Sequence, residues 1–417
     1  MVDMTPSDEI REIIKAIHRF IENEVLPLEK RYSKLLEDER KMYDDNGYAV
    51  PELLELRNEI RKKSAKAGFY TMFVPQVLGG MGVGPSAAVF INESLGKTYG
   101  PGRILIGAGR GFLTSPIIAS FVEGPSSLLL GLKDEVKKLH LDKLMSGEKT
   151  LCFALSEPEA GSDFWSMRTR AERKNNNMWV INGTKQWITN GPYADYAIIF
   201  AVTDDKLAKS HKGGISCFFV EKDRGWKVDS ITPTMGHLGG DTATLSFENV
   251  QVPETNIIGE VNRGFDYAML GIATGRLGIG GICVGLSQWA LAQSVEYSKQ
   301  RKTFGMPISE HQSIQFMLAD SFIELYAARS MAIHCAWKVE RGETPIKEIS
   351  AVKAFCVETC QKIFDRAIQI HGAMGLVTEI RLQEGFRLAR TLRIPDGTSE
   401  IQRRTIAKQL LKGNLEI

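Results

Sequence analysis

Hydrophobic positions change their period twice along the chain. From Thr5 to Met145 they recur every three to four residues, opening with Ile10, Ile13, Ile14, Ile17, Ile21 and Val25, which predicts amphipathic helices. The run Pro75-Gln76-Val77-Leu78-Gly79-Gly80-Met81-Gly82 predicts a break between helices. From Cys152 to Pro253 the pattern shortens to strand-like runs: Tyr196 to Val202, Ile215 to Val220 and Thr244 to Phe247. Trp179-Val180-Ile181 and Gln186-Trp187-Ile188 flank Asn182-Gly183, which predicts a tight hairpin. From Gly264 onward the helical period returns. Ile314, Met317, Leu318, Phe322, Leu325, Ala328, Ala332, Cys335, Ala336 and Val339 mark one long face, and Ile349, Val352, Cys356, Cys360 and Ile363 mark another. Gly281 and Gly285, four apart, predict a close approach of two helices. The expected order is a helical domain at residues 1–148, a β domain at 149–262 and a helical bundle at 263–417.

Composition narrows this reading. The 417 residues suffice for two or three domains. Lysine and arginine number 52 against 50 acidic residues, a net charge of +2, which argues for no nucleic-acid surface. The six cysteines, Cys152, Cys217, Cys283, Cys335, Cys356 and Cys360, form no CxxC pair and sit mostly in apolar runs. They read as reduced core thiols of an intracellular protein, with no metal set. The apolar stretch Leu277 to Leu286, bounded by Arg276, is too short to span a bilayer. Acidic Asp3, Asp8, Glu9 and Glu12 oppose a transit peptide. The expected location is the cytoplasm.

Four motifs carry candidate chemistry. Leu155-Ser156-Glu157-Pro158-Glu159-Ala160-Gly161-Ser162-Asp163 offers hydroxyl donors beside small residues. Trp187-Ile188-Thr189-Asn190-Gly191 sets an aromatic slab beside a hydroxyl. Gln300-Arg301-Lys302-Thr303-Phe304-Gly305, with His311-Gln312 following, places a guanidinium that can take a pyrophosphate bidentately. Ile394-Pro395-Asp396-Gly397-Thr398-Ser399-Glu400-Ile401-Gln402 puts a carboxylate before a helix start, where unpaired N–H groups favour anions. Singly, each also fits a turn, a core tryptophan, a basic helix end or a cap. His371, in Gln369-Ile370-His371-Gly372-Ala373, fits a base or a helix end.

In this order and spacing the motifs resemble those of the acyl-CoA dehydrogenases, over essentially the whole chain. The resemblance implies a mainly α fold: an N-terminal helical domain, a middle β-barrel or sandwich, and a C-terminal four-helix bundle. It also implies bound FAD, an acyl-CoA substrate, electron-transferring flavoprotein as acceptor, and a homotetramer built as a dimer of dimers. Membership would place the chain in fatty-acid β-oxidation, away from nucleic acid and membrane. By position, Phe153, Leu155, Ser156, Gly161 and Ser162 would face the flavin, with Ser156 near its reactive nitrogen. Trp187, Ile188 and Thr189 would cover and bond it. Arg301, Phe304 and Gln312 would hold the adenosine diphosphate half, reaching into a neighbouring subunit. Gln369, Gly372 and Ala373 would meet that half from the other side. Thr398 and Glu400 would meet the pyrophosphate. Ser162, Gly275, Arg276 and Gly397 would line the substrate path.

The implied reaction is α,β-dehydrogenation of an acyl thioester, with Asp396 removing the α proton. The sequence departs from the family here. Most members have Glu, preceded by an aromatic residue, where this chain has Pro395-Asp396. Asp retracts the carboxylate by about 1.5 Å. Branches that carry Glu on an earlier helix align it with Gly275, so no second base is expected. The tract Met235-Gly236-His237-Leu238-Gly239-Gly240-Asp241 lacks the usual Arg-Gly-Ser. Asp before Gly-Thr-Ser is also similar to the related nitroalkane oxidases. A non-catalytic relative that binds acyl-CoA or assists assembly is the third alternative.

Overall fold

The computed structural model describes residues 4–107, 109–174 and 177–416. Helix, sheet and helix follow one another along the chain. The first zone holds α1 (Asp8–Phe20), α2 (Pro51–Lys66), α3 (Pro85–Tyr99) and α4 (Asp134–Met145). Ser7 caps α1 by accepting from Ile10 N, and Asp8 and Glu9 in its first turn complement the helix dipole. Pro75 to Gly82 is the anticipated break, holding one 3-10 turn.

One sheet follows, built from β1 (Leu151–Ala154), β2 (Arg170–Lys174), β3 (Met178–Thr189), β4 (Tyr196–Val202), β5 (Ile215–Glu221), β6 (Lys227–Ile231), β7 (Thr242–Pro253) and β8 (Ile257–Ile258). Its order is β6-β7-β3-β2-β4-β5-β8, with β1 parallel to β4. Every residue of β4 is buried. Tyr196, Ile198, Phe200 and Val202 enter one core and Ala197, Ile199 and Ala201 the other, as a two-residue period requires.

The expected hairpin at Asn182-Gly183 is not formed. β3 runs straight through it for 12 residues, pairing with β2 and β7. Gly183 instead absorbs a register shift at φ 152°. A Cβ there would lie 2.4 Å from Thr169 Oγ1 and 2.6 Å from Thr169 Cα. The glycine therefore serves a close approach of the neighbouring backbone rather than a turn.

The last zone holds α5 (Phe265–Gln300), α6 (Gln312–Glu340), α7 (Ile346–His371), α8 (Leu382–Leu392) and α9 (Ser399–Leu411). α5 packs on α3 through the two glycines the sequence singled out. A Cβ on Gly281 would meet Val89 O at 2.5 Å, and one on Gly285 would meet Glu93 O at 2.1 Å. By length and composition α5 could cross a membrane, but about half of its most apolar window is buried against neighbouring elements. Leu325, Ala328, Ala332, Cys335 and Ala336 of α6 and Val352, Cys356, Cys360 and Ile363 of α7 share the bundle core. Phe322 departs from the expected face and is 60% exposed, beside Ile323 and Tyr326. All six cysteines are buried free thiols.

Candidate active site

Asp396 stands in the short link between α8 and α9. Pro395 cannot extend α8, and Thr398 starts α9 by accepting from Ile401 N at 3.3 Å. Between them Asp396 (φ 57°) and Gly397 (φ 87°) are both left-handed. Asp tolerates that region better than most residues. Side chains from the flanking helices then hold the link. Arg276 Nε and Gln402 Nε2 each donate to Asp396 O at 3.0 Å. Gln402 Nε2 and Lys353 Nζ donate to Gly397 O at 3.0 and 2.8 Å. A Cβ on Gly397 would sit 2.8 Å from Gln402 Nε2, so this cradle needs glycine.

Burial pushes the Asp396 carboxyl above the ordinary carboxylate range, while Arg276 and Lys353 oppose the rise. Its N–H donates to no protein group among the described residues. Gly275 lies against the carboxylate, for a Cβ built there would be 3.8 Å from Asp396 Oδ2 and 2.9 Å from Phe121 Cε1. Gly275 and Phe121 also line a cavity of about 710 Å³. Its walls come from α3, the loop before β1 and the stripe Gly271, Thr274, Gly275 and Gly278 of α5. The carboxylate thus adjoins a large, mostly apolar chamber.

Phe121 continues the site toward the sheet, packing edge-on against Phe153 of β1 at 5.2 Å. Beyond it the first two motifs are stitched together. Gln186 N donates to Ser156 O at 2.9 Å, and Ser156 Oγ donates to Gln186 O at 2.6 Å. The Ser156 hydroxyl proton is therefore committed within the protein, leaving its hydroxyl lone pairs and main-chain N–H for a cofactor. Beneath the turn lies an ion pair the sequence reading missed. Lys185 Nζ meets Glu157 Oε1 at 2.8 Å with both side chains buried. Lys185 also donates to Leu155 O at 2.9 Å, and Glu157 accepts from Arg168 N and Thr169 N. Burial pulls Lys185 down to about 8. Above this base Gly161 and Ser162 are exposed, Phe153, Leu155 and Thr189 half-buried. Trp187 is held open at φ 65° and 53% exposed. Ile188 points into the sheet core, so only its main chain can reach a cofactor.

The remaining candidates gather at the other end of the bundle. His371 stacks on Tyr297 of α5 at 4.3 Å, and His311 Nε2 meets Thr303 Oγ1 at 3.2 Å. These contacts join the end of α7, the end of α5 and the start of α6. Arg301, Phe304, Gln312, Gln369, Gly372 and Ala373 are all exposed there, and Phe304 is 92% bare. Lys353 precedes His371 by 18 residues of α7, about 27 Å at the usual helical rise. One copy of the chain therefore does not bring this group to Asp396. His371 itself is structural, buried with Nδ1 against Ala367 O at 2.7 Å.

Three family models match in the same order: acyl-CoA dehydrogenase, N-terminal domain over residues 7–123, middle domain over 152–250 and C-terminal domain over 262–411. The chain belongs to the acyl-CoA dehydrogenase family. It is 37% identical to a 3-(aryl)acrylate reductase of Clostridium sporogenes, over 87% of this chain and 93% of that one. It is 36% identical to the caffeyl-CoA reductase-Etf complex subunit CarC of Acetobacterium woodii, over 87% and 92%. The butyryl-CoA dehydrogenase structure from Megasphaera elsdenii superposes with a TM-score of 0.79 at 29% identity, covering 98% and 100%. The chain is an oxidoreductase of this family, and FAD is its cofactor.

The residues present fit that group. The Ser156 turn and the Trp187 strand end are locked side by side, and their outward face offers an exposed indole and hydroxyls. A Cβ on Gly161 would meet nothing within 4 Å, so the turn leaves open space above it. The sequence reading passed over Lys353 and Phe121, and gave Gln402 no role beyond its place in the motif. Lys353 left a legible signal, a lysine inside the apolar run Val352 to Cys356.

Proposed function

We propose that the chain catalyses α,β-dehydrogenation of an acyl-CoA thioester to the 2-enoyl-CoA, with Asp396 as the base. The observation that carries this is the position of the Asp396 carboxylate, held against Gly275 beside the 710 Å³ cavity. An acyl chain in that cavity brings its α carbon past Gly275 to the carboxylate. Partial burial raises the proton affinity of Asp396 toward the value a general base needs near neutral pH. The free N–H of Asp396 can donate to the thioester oxygen as enolate character develops, a contact strongest in the transition state. Trp187, Thr189, Ser156, Gly161 and Ser162 would hold the isoalloxazine, and Thr398 and Glu400 at the start of α9 the pyrophosphate. When bound, FAD supplies the two-electron acceptor for the hydride that leaves the β carbon.

Arg301, Phe304, Gln312, Gln369, Gly372 and Ala373 would complete the adenosine diphosphate site of a second copy. Their distance from Asp396 within one chain, and the bare Phe322, Ile323 and Tyr326 on α6, support a homotetramer assembled from dimers. Electron-transferring flavoprotein is the proposed acceptor, supported by the Etf complex in which the CarC relative is named. Fatty-acid β-oxidation in the cytoplasm is the proposed setting. The names of the two reductase relatives favour a second reading, the same couple run toward saturation of an arylacrylyl thioester. A cavity of this size argues against a small nitroalkane as substrate.

The test is an anaerobic titration of the FAD-loaded protein with butyryl-CoA, 3-phenylpropanoyl-CoA and nitroethane, following flavin absorbance. Bleaching by an acyl-CoA, abolished in Asp396→Asn while FAD stays bound, is the expected result. Cinnamoyl-CoA reoxidising the reduced protein would identify the reductive direction. Bleaching by nitroethane alone refutes the thioester reading, and no response to any of the three would leave a non-catalytic binder.

A further inference from the structure

Lys353 is a cation inside an apolar helix face. Val352, Cys356 and Cys360 are buried around it, and its own side chain is fully enclosed. Desolvating an ammonium is expensive, and an apolar residue or a neutral donor costs far less. Its hydrogen bond goes to a neutral acceptor, the Gly397 carbonyl at 2.8 Å, which Gln402 already serves at 3.0 Å. The carbonyl alone therefore does not account for the charge. The anion one residue before that carbonyl does: Lys353 is anchored directly beside Asp396 in the chain, and the Asp396 charge favours its protonated form.

We infer that Lys353 is a positioning residue for Asp396: its ammonium pins the left-handed Asp396-Gly397 link through the Gly397 carbonyl and sets a positive charge on the side of the link that carries the carboxylate. Arg276, Gln402 and Lys353 come from α5, α9 and α7 and grip two consecutive carbonyls. That grip aims the carboxylate at the Gly275 side and leaves its oxygens without a hydrogen bond among the described residues. The charged and titratable groups facing Lys353 are Asp396 from the link, Arg276 and the neutral Cys283 thiol from α5, and Glu400 from α9; Cys360 and Cys356 of α7 stand behind Cys283. Burial pulls Lys353 down to about 8, so the cation persists at neutral pH. Arg276 acts on Asp396 in the same sense, so Lys353 supplies one of two opposing charges.

The inference rests on Asp396 being the base, and the experiment separates the two. FAD-loaded wild type, K353M, K353Q, K353R and D396N are compared by anaerobic stopped-flow reduction. The probe is butyryl-CoA or 3-phenylpropanoyl-CoA, whichever reduces wild type, from about pH 5 to about pH 10. Losing a nearby opposite charge moves the acid limb of the reduction rate upward by about one pH unit in K353M and K353Q. Below the limb the rate then falls about tenfold, while K353R keeps the wild-type limb. A uniform rate loss in K353M or K353Q with the limb unmoved would mean a purely structural lysine and overturn the inference. If neither neutral variant retains FAD, K353R decides: with the charge kept, an upward-shifted limb overturns the proposal and an unshifted one supports it. Reduction persisting in D396N sinks the base assignment itself. Loss of reduction in D396N beside an unmoved K353M limb sinks only the role of Lys353.

Discussion

Gly275→Ala is the smallest change that tests whether the cavity and Asp396 form one site. The added methyl would meet Phe121 Cε1 at 2.9 Å and Cδ1 at 3.4 Å, with Asp396 Oδ2 at 3.8 Å. Carbon pairs prefer about 3.5–4.0 Å, so the Phe121 ring must retreat by roughly 0.6–1 Å. Retreat toward β1 is blocked by Phe153 at 5.2 Å between ring centres, which leaves the cavity. Overpacking of this kind costs about 1–3 kcal/mol, and exchanging glycine for alanine inside a helix returns about 1 kcal/mol. The net loss of stability is expected at about 0–2 kcal/mol, read by thermal unfolding. The rate should suffer more, because an acyl group displaced by about 1 Å from the base reacts about 10²-fold more slowly. Single-turnover flavin reduction by the acyl-CoA that bleaches wild type measures this directly. A variant reduced within about threefold of wild type, at unchanged affinity, would refute the idea that acyl groups pass Gly275 on the way to Asp396.

Two further outcomes follow from buried charges. Lys185→Met strands the Glu157 carboxylate beneath the Ser156 turn and should cost about 3–5 kcal/mol in denaturant unfolding, with weaker FAD retention; stability within about 1 kcal/mol of wild type would show the pair is dispensable. Asp241 is 1% exposed, and burial pushes its carboxyl from 3.8 up to about 7 despite donation from Leu113 N. Its folded pKa lies above the unfolded one, so its contribution is complete at low pH and is lost as pH rises through about 7. Asp241→Asn should therefore gain on the order of 2–4 kcal/mol relative to wild type between about pH 5 and about pH 8, and equal losses at both pH values would refute the sign.

Periodicity read the fold well where burial is one-sided or complete. β4 and the cores of α6 and α7 lie where the apolar spacing placed them. It failed at Asn182-Gly183, because a local turn preference cannot register that Thr169 Cα would lie 2.6 Å from any Cβ placed on the glycine. Phe322 misled because an exposed face can be as apolar as a core. The motifs marked the candidate residues, but motif order carries no distances. The sequence could not show that Gln369 stands about 24 Å along α7 from the level of Lys353, with Arg301 past the end of α5. It also gave no weight to Lys353 or to the Lys185–Glu157 pair, whose importance comes from burial alone.

The same geometry bears on how Asp396, the proposed base, would serve this site. The Asp396 oxygen and the Cβ position of residue 275 are 3.8 Å apart. A glutamate carries its carboxylate oxygens about 3–4 Å beyond Cβ by ordinary bond lengths. A glutamate at 275 can therefore deliver a carboxylate to the space that Asp396 vacates. In an Asp396→Ala background, Gly275→Glu should restore flavin reduction by about 10- to 100-fold over Asp396→Ala alone. Recovery should stop about 10²-fold short of wild type, since the new side chain meets the same Phe121 contact as alanine. Arg276 and Lys353 remain beside the relocated charge, so its acid limb should stay close to that of the wild type. Absence of any rescue in a protein that binds FAD and acyl-CoA normally would show that the two positions do not serve one proton, and that Asp396 acts from a direction the Gly275 side cannot reach.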